Sequence, residues 1–122
     1  MDMEKEIKQK FDLEQIIFNL VLHGGNARAL AYEALEAAEE KNFKKVEECL
    51  EEADEEFYKG HDYQNMLIQG QMDDKVPNFL VIHAQDQLMT ALSEKNLIKS
   101  IDNDIKISYN YSIKIRGDGL WK

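Results

Sequence analysis

Apolar positions recur at alternating steps of three and four over most of the chain. From about Leu13 to Lys41 the seam runs Leu13, Ile17, Leu20, Gly24, Ala27, Ala31, Ala34 and Ala38. That is the period of a helix with one buried side, and Asp12 is placed to cap it. The Gly24–Gly25 pair sits inside the pattern. Each glycine there costs about 1 kcal/mol relative to alanine, so the pair predicts a kink or a close helix contact. A second seam, Phe43, Val46, Leu50, Ala53, Phe57, Gly60, Gln64, Leu67 and Gln71, predicts a helix over about Phe43 to Gln69. Its outward face carries Glu47, Glu48, Glu51, Glu52, Asp54, Glu55 and Glu56, read as a solvated surface.

After a polar connection at Met72-Asp73-Asp74-Lys75, Pro77 suits the first turn of a third helix, over about Pro77 to Ser100. This helix has two apolar stripes: Val81, Ala84, Leu88, Leu92 and Ile98 on one side, Phe79, Ile82 and Met89 on another. Two such faces need two partners. The expected fold is all-α, an antiparallel three-helix up-down-up bundle that associates with further copies.

Residues 1–100 follow these rules as one bundle; residues 101–122 form an atypical C-terminal tail. Ile105 to Arg116 alternates apolar or aromatic residues with polar ones, a strand period. Yet no second strand is available to pair with it, and a lone strand is unstable in water. Disorder, pairing between chains, a helix imposed by context and a reading-frame artefact all stay open at this stage.

Composition narrows the function. Twenty-four acids against fifteen bases give a net charge of −9. That disfavours nucleic-acid backbone and anionic membrane surfaces. No apolar run is long enough to span a bilayer, and Met1-Asp2-Met3-Glu4-Lys5-Glu6 lacks a signal-peptide layout. A cytoplasmic protein is expected. The single cysteine, Cys49, lies among glutamates that oppose its thiolate and reads as inert. The residues preceding the three histidines by three are Leu20, Tyr58 and Leu80, so the Glu-x-x-His pattern of di-iron bundles is absent. There is no zinc spacing and no phosphate-cradling glycine loop.

His83 and Asp86 stand out. Asp86 falls in the stripe with Phe79, Ile82 and Met89, where a carboxylate needs a partner, a proton or a cation. On a symmetry axis, copies of it would converge and demand a proton or a hard cation. His83 lies early in its helix, flanked by Gln85 and with Gln87 one turn on. A neutral imidazole near pH 7 is a good phosphoryl acceptor. His23 and His61 read as structural.

Val81-Ile82-His83-Ala84-Gln85-Asp86-Gln87-Leu88-Met89-Thr90-Ala91 resembles the V-H-A-Q-D-H-L-M-T signature of the lactose/cellobiose-type enzyme IIA components of the bacterial phosphotransferase system. Gly25-Asn26-Ala27-Arg28-Ala29-Leu30-Ala31 resembles that family's G-x-A-R-S-L-A element. His61-Asp62-Tyr63-Gln64-Asn65-Met66-Leu67-Ile68-Gln69 resembles its A-H-x-x-Q-T-x-L-I-Q element, in the same order along the chain. The resemblance implies a homotrimer of three-helix bundles, nine helices in all. It implies that His83 takes a phosphoryl group from HPr and passes it to a cysteine of the cognate IIB component. Uptake and phosphorylation of a β-disaccharide of lactose, cellobiose or chitobiose type would follow. Gln85 and Gln87 are expected to support the site, and Asp86 to hold Mg²⁺ at the three-fold axis. Two departures are evident: Gln87 stands where the family usually has a second histidine, and the tail lacks the family's helix-forming residues. The alternative is a non-catalytic scaffold or regulatory binding protein that kept the fold.

Overall fold

A computed structural model describes residues 2–68 and 79–117. These form three helices, α1 (Met3–Glu39), α2 (Phe43–Ile68) and α3 (Phe79–Gly117), with no strand among the described residues. Gln69, Gln71, the connection at residues 72–75 and Pro77 lie outside them.

The first helix starts ten residues earlier than its seam suggested. Asp2, not Asp12, is the cap, accepting a hydrogen bond from the Glu4 amide at 3.2 Å. Asp12 is an exposed interior position of α1. The α1–α2 turn is closed by Lys41 N–H to the Ala38 carbonyl (3.0 Å) and Asn42 N–H to the Ala37 carbonyl (2.9 Å). Lys41 takes φ 64°, the left-handed conformation usual after a helix end but uncommon without glycine.

The seams supply most of the core, though Leu13, Ile17, Phe43, Leu50, Leu67 and Leu92 are only half-buried and Ile16, Ala37, Cys49 and Ala91 join from outside them. Leu20, Gly24, Ala27, Ala31, Ala34 and Ala38 of α1 are all buried, as are Val46, Ala53, Phe57 and Gly60 of α2 and Val81, Ala84, Leu88 and Ile98 of α3. One cluster gathers Ile16, Leu20, Ala27, Phe57, Ala84 and Leu88; a second gathers Ala34, Ala37, Ala38, Val46 and Cys49. α1 packs extensively on both other helices, which meet each other only sparsely. One link between them is the buried Lys95, whose ammonium pairs with Asp54.

The glycine pair resolves into a close contact. A Cβ on buried Gly24 would meet the Leu88 Cα at 3.3 Å, so this glycine lets the α1 and α3 backbones touch. Exposed Gly25 would meet nothing within 4 Å. Gly25→Ala should therefore raise stability by about 1 kcal/mol through helix propensity, whereas Gly24→Ala should gain nothing. Thermal melts of the two variants check this.

The tail is helix. α3 runs without interruption through Ile101-Asp102-Asn103-Asp104 to Gly117. Of the alternatives left open, residues 101–117 take the helix imposed by context. A helix already nucleated upstream extends at little cost, and no strand among the described residues offers itself as a partner. Ile105 packs on the second cluster and Tyr109 lies against Phe43, ring centroids 5.6 Å apart.

Asp102 is 3% exposed, and neither carboxylate oxygen has a hydrogen-bond partner among the described residues. It lines a groove of about 480 Å³ with Phe43, Val46, Leu50, Lys99 and Lys106. Burial, and secondarily the charge of Glu39, raise its pKa to about 6. The unfolded carboxyl releases its proton near pH 4, so the folded state holds the extra proton between those values. The ionised side chain thus costs stability that grows as pH rises from about 4 through 6. Asp102→Asn should stabilise the protein on the order of 2 kcal/mol at pH 7.5, with the gain vanishing near pH 4. Denaturant melts at the two pH values measure it.

Candidate functional site

His83 is the fifth residue of α3, one turn inside its start. Its ring is exposed and lies parallel to that of Phe79, centroids 6.3 Å apart with 2° between the planes. No hydrogen bond engages either ring nitrogen among the described residues. A neutral imidazole in that setting has a lone pair available to a second protein.

The stripe containing Asp86 faces outward on the single chain: Phe79 is 80% exposed, and Ile82, Met89 and Asp86 are exposed beside it. No ion pair or hydrogen bond engages the Asp86 carboxylate among the described residues. Nor do the described residues contain any group of three metal-ligating acid, histidine or cysteine side chains. One chain thus offers a single carboxylate, and only association of several copies would assemble a set of hard oxygen ligands.

Gln87 is half-buried and tied to α1. Arg28 Nη1 donates to its side-chain oxygen at 2.9 Å, and Arg28 Nη2 lies 3.4 Å from its carbonyl oxygen. The same guanidinium donates to Thr90 Oγ1 at 2.6 Å and to Glu94 Oε2 at 2.7 Å. Thr90 Oγ1 in turn donates to the Asp86 carbonyl at 2.8 Å. Gln85, also half-buried, has no hydrogen bond among the described residues.

The structure therefore brings His83, Asp86 and Gln87 onto one stretch of α3 and adds Arg28, Thr90 and Glu94, which sequence reasoning had assigned no role. A signal for Arg28 was present. It is the only lysine or arginine between Leu13 and Glu39, and it adjoins a seam of glycine and alanine. A cation there needs acceptors on whatever helix packs against that seam.

The other candidate nucleophiles are engaged elsewhere. His23 Nδ1 donates to Glu56 Oε2 at 2.6 Å, and its ring stacks on Tyr63. His61 lies 5.8 Å from the Phe57 ring and accepts from Asn65 Nδ2 at a long 3.4 Å. Cys49 is buried, and burial followed by the charge of Glu33 pushes its thiol pKa up.

Comparisons with known proteins place this arrangement. Residues 15–105 match the family model described as PTS system, lactose/cellobiose specific IIA subunit. The lichenan-specific phosphotransferase enzyme IIA component of Bacillus subtilis is 40% identical over 92 residues, spanning 74% of this chain and 84% of that protein. The N,N'-diacetylchitobiose-specific EIIA component of Escherichia coli is 31% identical over 93 residues, 74% of this chain and 79% of that one. The crystal structure of the cellobiose-specific enzyme IIA from Bacillus anthracis superposes with a TM-score of 0.75 at 35% identity, covering 80% of this chain and 91% of that one. A solution structure of the Escherichia coli IIA(chitobiose)–HPr complex gives 0.73 at 27% identity, covering 80% of this chain and 96% of that one.

The fold and the family together define a phosphotransferase component, of the kind that carries phosphohistidine in sugar transport. The chain belongs to the lactose/cellobiose-specific IIA family of the phosphotransferase system. No helix among the described residues is long and apolar enough to cross a membrane.

Proposed function

We propose that His83 is the phosphoryl acceptor, that HPr is the donor, and that the group passes to a cysteine of a cognate IIB component. The observation that carries this reading is the exposed, unengaged imidazole of His83, set within the family-like segment Val81–Ala91. The resemblance to a IIA protein solved in complex with HPr supports the donor. In the first transfer the P–N bond to His83 forms as the donor's bond to phosphorus breaks. The attacking nitrogen supplies its lone pair, and the ring keeps its proton on the other nitrogen. Positioning and charge stabilisation carry such a transfer, with little covalent chemistry for other side chains to perform. The phosphoramidate stays reactive enough to move on to a thiolate. The work is cytoplasmic, and uptake of a β-disaccharide of lactose, cellobiose or chitobiose type is its outcome.

The assembly belongs to the same proposal. Each chain is an up-down-up bundle, and three chains bury the exposed stripe of Phe79, Ile82 and Met89 against one another in a nine-helix homotrimer. Three copies of Asp86 then meet at the axis. Carboxylate oxygens suit Mg²⁺, which would neutralise their mutual repulsion and take no part in the transfer.

The test is direct. The protein is incubated with phosphoenolpyruvate, enzyme I and HPr, and an acid-labile, alkali-stable phosphate is sought at His83. A stoichiometric label supports the carrier. Failure of the wild-type protein to take any label, with donors from its source organism, would leave the scaffold or regulatory reading instead.

A further inference from the structure

We infer that Arg28 is a positioning residue for phosphoryl transfer, acting through Gln87 and not on phosphorus itself; this rests on the acceptor role proposed for His83. The guanidinium has donors only, so the atom of Gln87 that faces its Nη1 at 2.9 Å must be the side-chain oxygen. That fixes the amide. With its oxygen held toward α1, the Gln87 NH₂ group is turned away from Arg28, and no acceptor engages it among the described residues. Helical side chains lean toward the N-terminus of their helix, and positions four apart lie over one another. Gln87 therefore shares a helix face with His83, one turn further along α3. From one turn beyond His83 its two N–H donors are free to serve phosphoryl oxygens carried on that ring.

Arg28 is itself restrained. Glu94 Oε2 accepts a hydrogen bond from its Nε–H at 2.7 Å, and Thr90 Oγ1 accepts from Nη2 at 2.6 Å. The Glu94 carboxylate neutralises much of the guanidinium charge, so Arg28 supplies geometry more than field. The arrangement also accounts for glutamine where the family usually has histidine. A neutral imidazole at this position can accept from Arg28 on one ring nitrogen and donate from the other. Glutamine divides the same two tasks between its oxygen and its nitrogen.

The experiment compares Arg28→Lys, Gln87→Leu, the double variant and Gln87→His. Three quantities are read: the initial rate of labelling by phospho-HPr, the half-life of the phosphohistidine at fixed pH, and the pKa of the His83 ring by NMR. Arg28→Lys keeps the charge but gives up the fork. Gln87→Leu removes the donors and leaves Arg28 its contacts to Glu94 and Thr90. Each single variant should label at least about tenfold more slowly than wild type while staying fully folded at the assay temperature. The double variant should be no slower than Gln87→Leu alone, because Arg28 acts through a group already removed. Gln87→His should restore the wild-type rate within about threefold. If wild type labels normally while Arg28→Lys and Gln87→Leu match it in rate, half-life and ring pKa, this inference falls and the carrier stands. Additive losses in the double variant overturn it as well. A wild-type protein that takes no label overturns the carrier and this inference together.

Discussion

His83→Ala will fold normally and take no phosphoryl group. The ring is exposed and its described contact is the face of Phe79, so its removal should change stability by no more than about 0.5 kcal/mol. Activity should fall to the background of the assay, because no other side chain is placed to substitute. His23 is committed to Glu56, and His61 sits against Phe57 with Asn65 beside it. Cys49 is buried with its thiolate disfavoured. Phosphate labelling followed by a thermal melt separates the two effects. Persistence of an acid-labile label in a folded His83→Ala protein would move the acceptor elsewhere.

Leu88→Ala is the largest expected loss of stability, about 3 kcal/mol. Leu88 has no exposed surface and belongs to the cluster of Ile16, Leu20, Ala27, Phe57 and Ala84. Both buried glycines of the first two helices make room for this residue, Gly60 for its side chain and Gly24 for its backbone. A Cβ on Gly60 would come within 2.7 Å of Leu88 Cδ1, and one on Gly24 within 3.3 Å of its Cα. Truncating Leu88 leaves a void beside Gly60, which has no side chain to fill it. For a chain of this size the melting temperature should drop by roughly 10 °C. A drop of only a degree or two would mean that the helices close the gap by moving together.

What could be read from the sequence follows from how much each signal depends on the chain alone. The burial of Leu20, Ala27, Ala31, Ala34 and Ala38 was legible because a helical seam is a property of consecutive residues. So was the close contact at Gly24, though not that Gly25 would be left free. The tail stayed undecided because the odd-numbered run Ile105, Ile107, Tyr109, Tyr111, Ile113 and Ile115 has a perfect two-residue period. Wound as helix it scatters those side chains, leaving Ile107 59% and Tyr111 65% exposed. Periodicity counts side chains and is blind to whether a neighbouring strand exists. The pairing of Lys95 with Asp54 was illegible for a different reason: a lysine at an inward position looks like an error until its acceptor on another helix is known. The site divides the same way. His83, Asp86 and Gln87 share one short segment, whereas Arg28 reaches Gln87 across 59 residues of chain.

The lopsided packing of the helices sets an order of assembly. α1 and α2 are joined by a three-residue turn and can zip up from Asn42 outward with little loop entropy to overcome, so this hairpin is the natural folding nucleus. α3 meets α2 only sparsely and must dock chiefly on α1, which makes it the late arrival. The guanidinium of Arg28 waits on the hairpin for its acceptors. On that order the helix carrying His83 seats last and brings Gln87, Thr90 and Glu94 to the guanidinium.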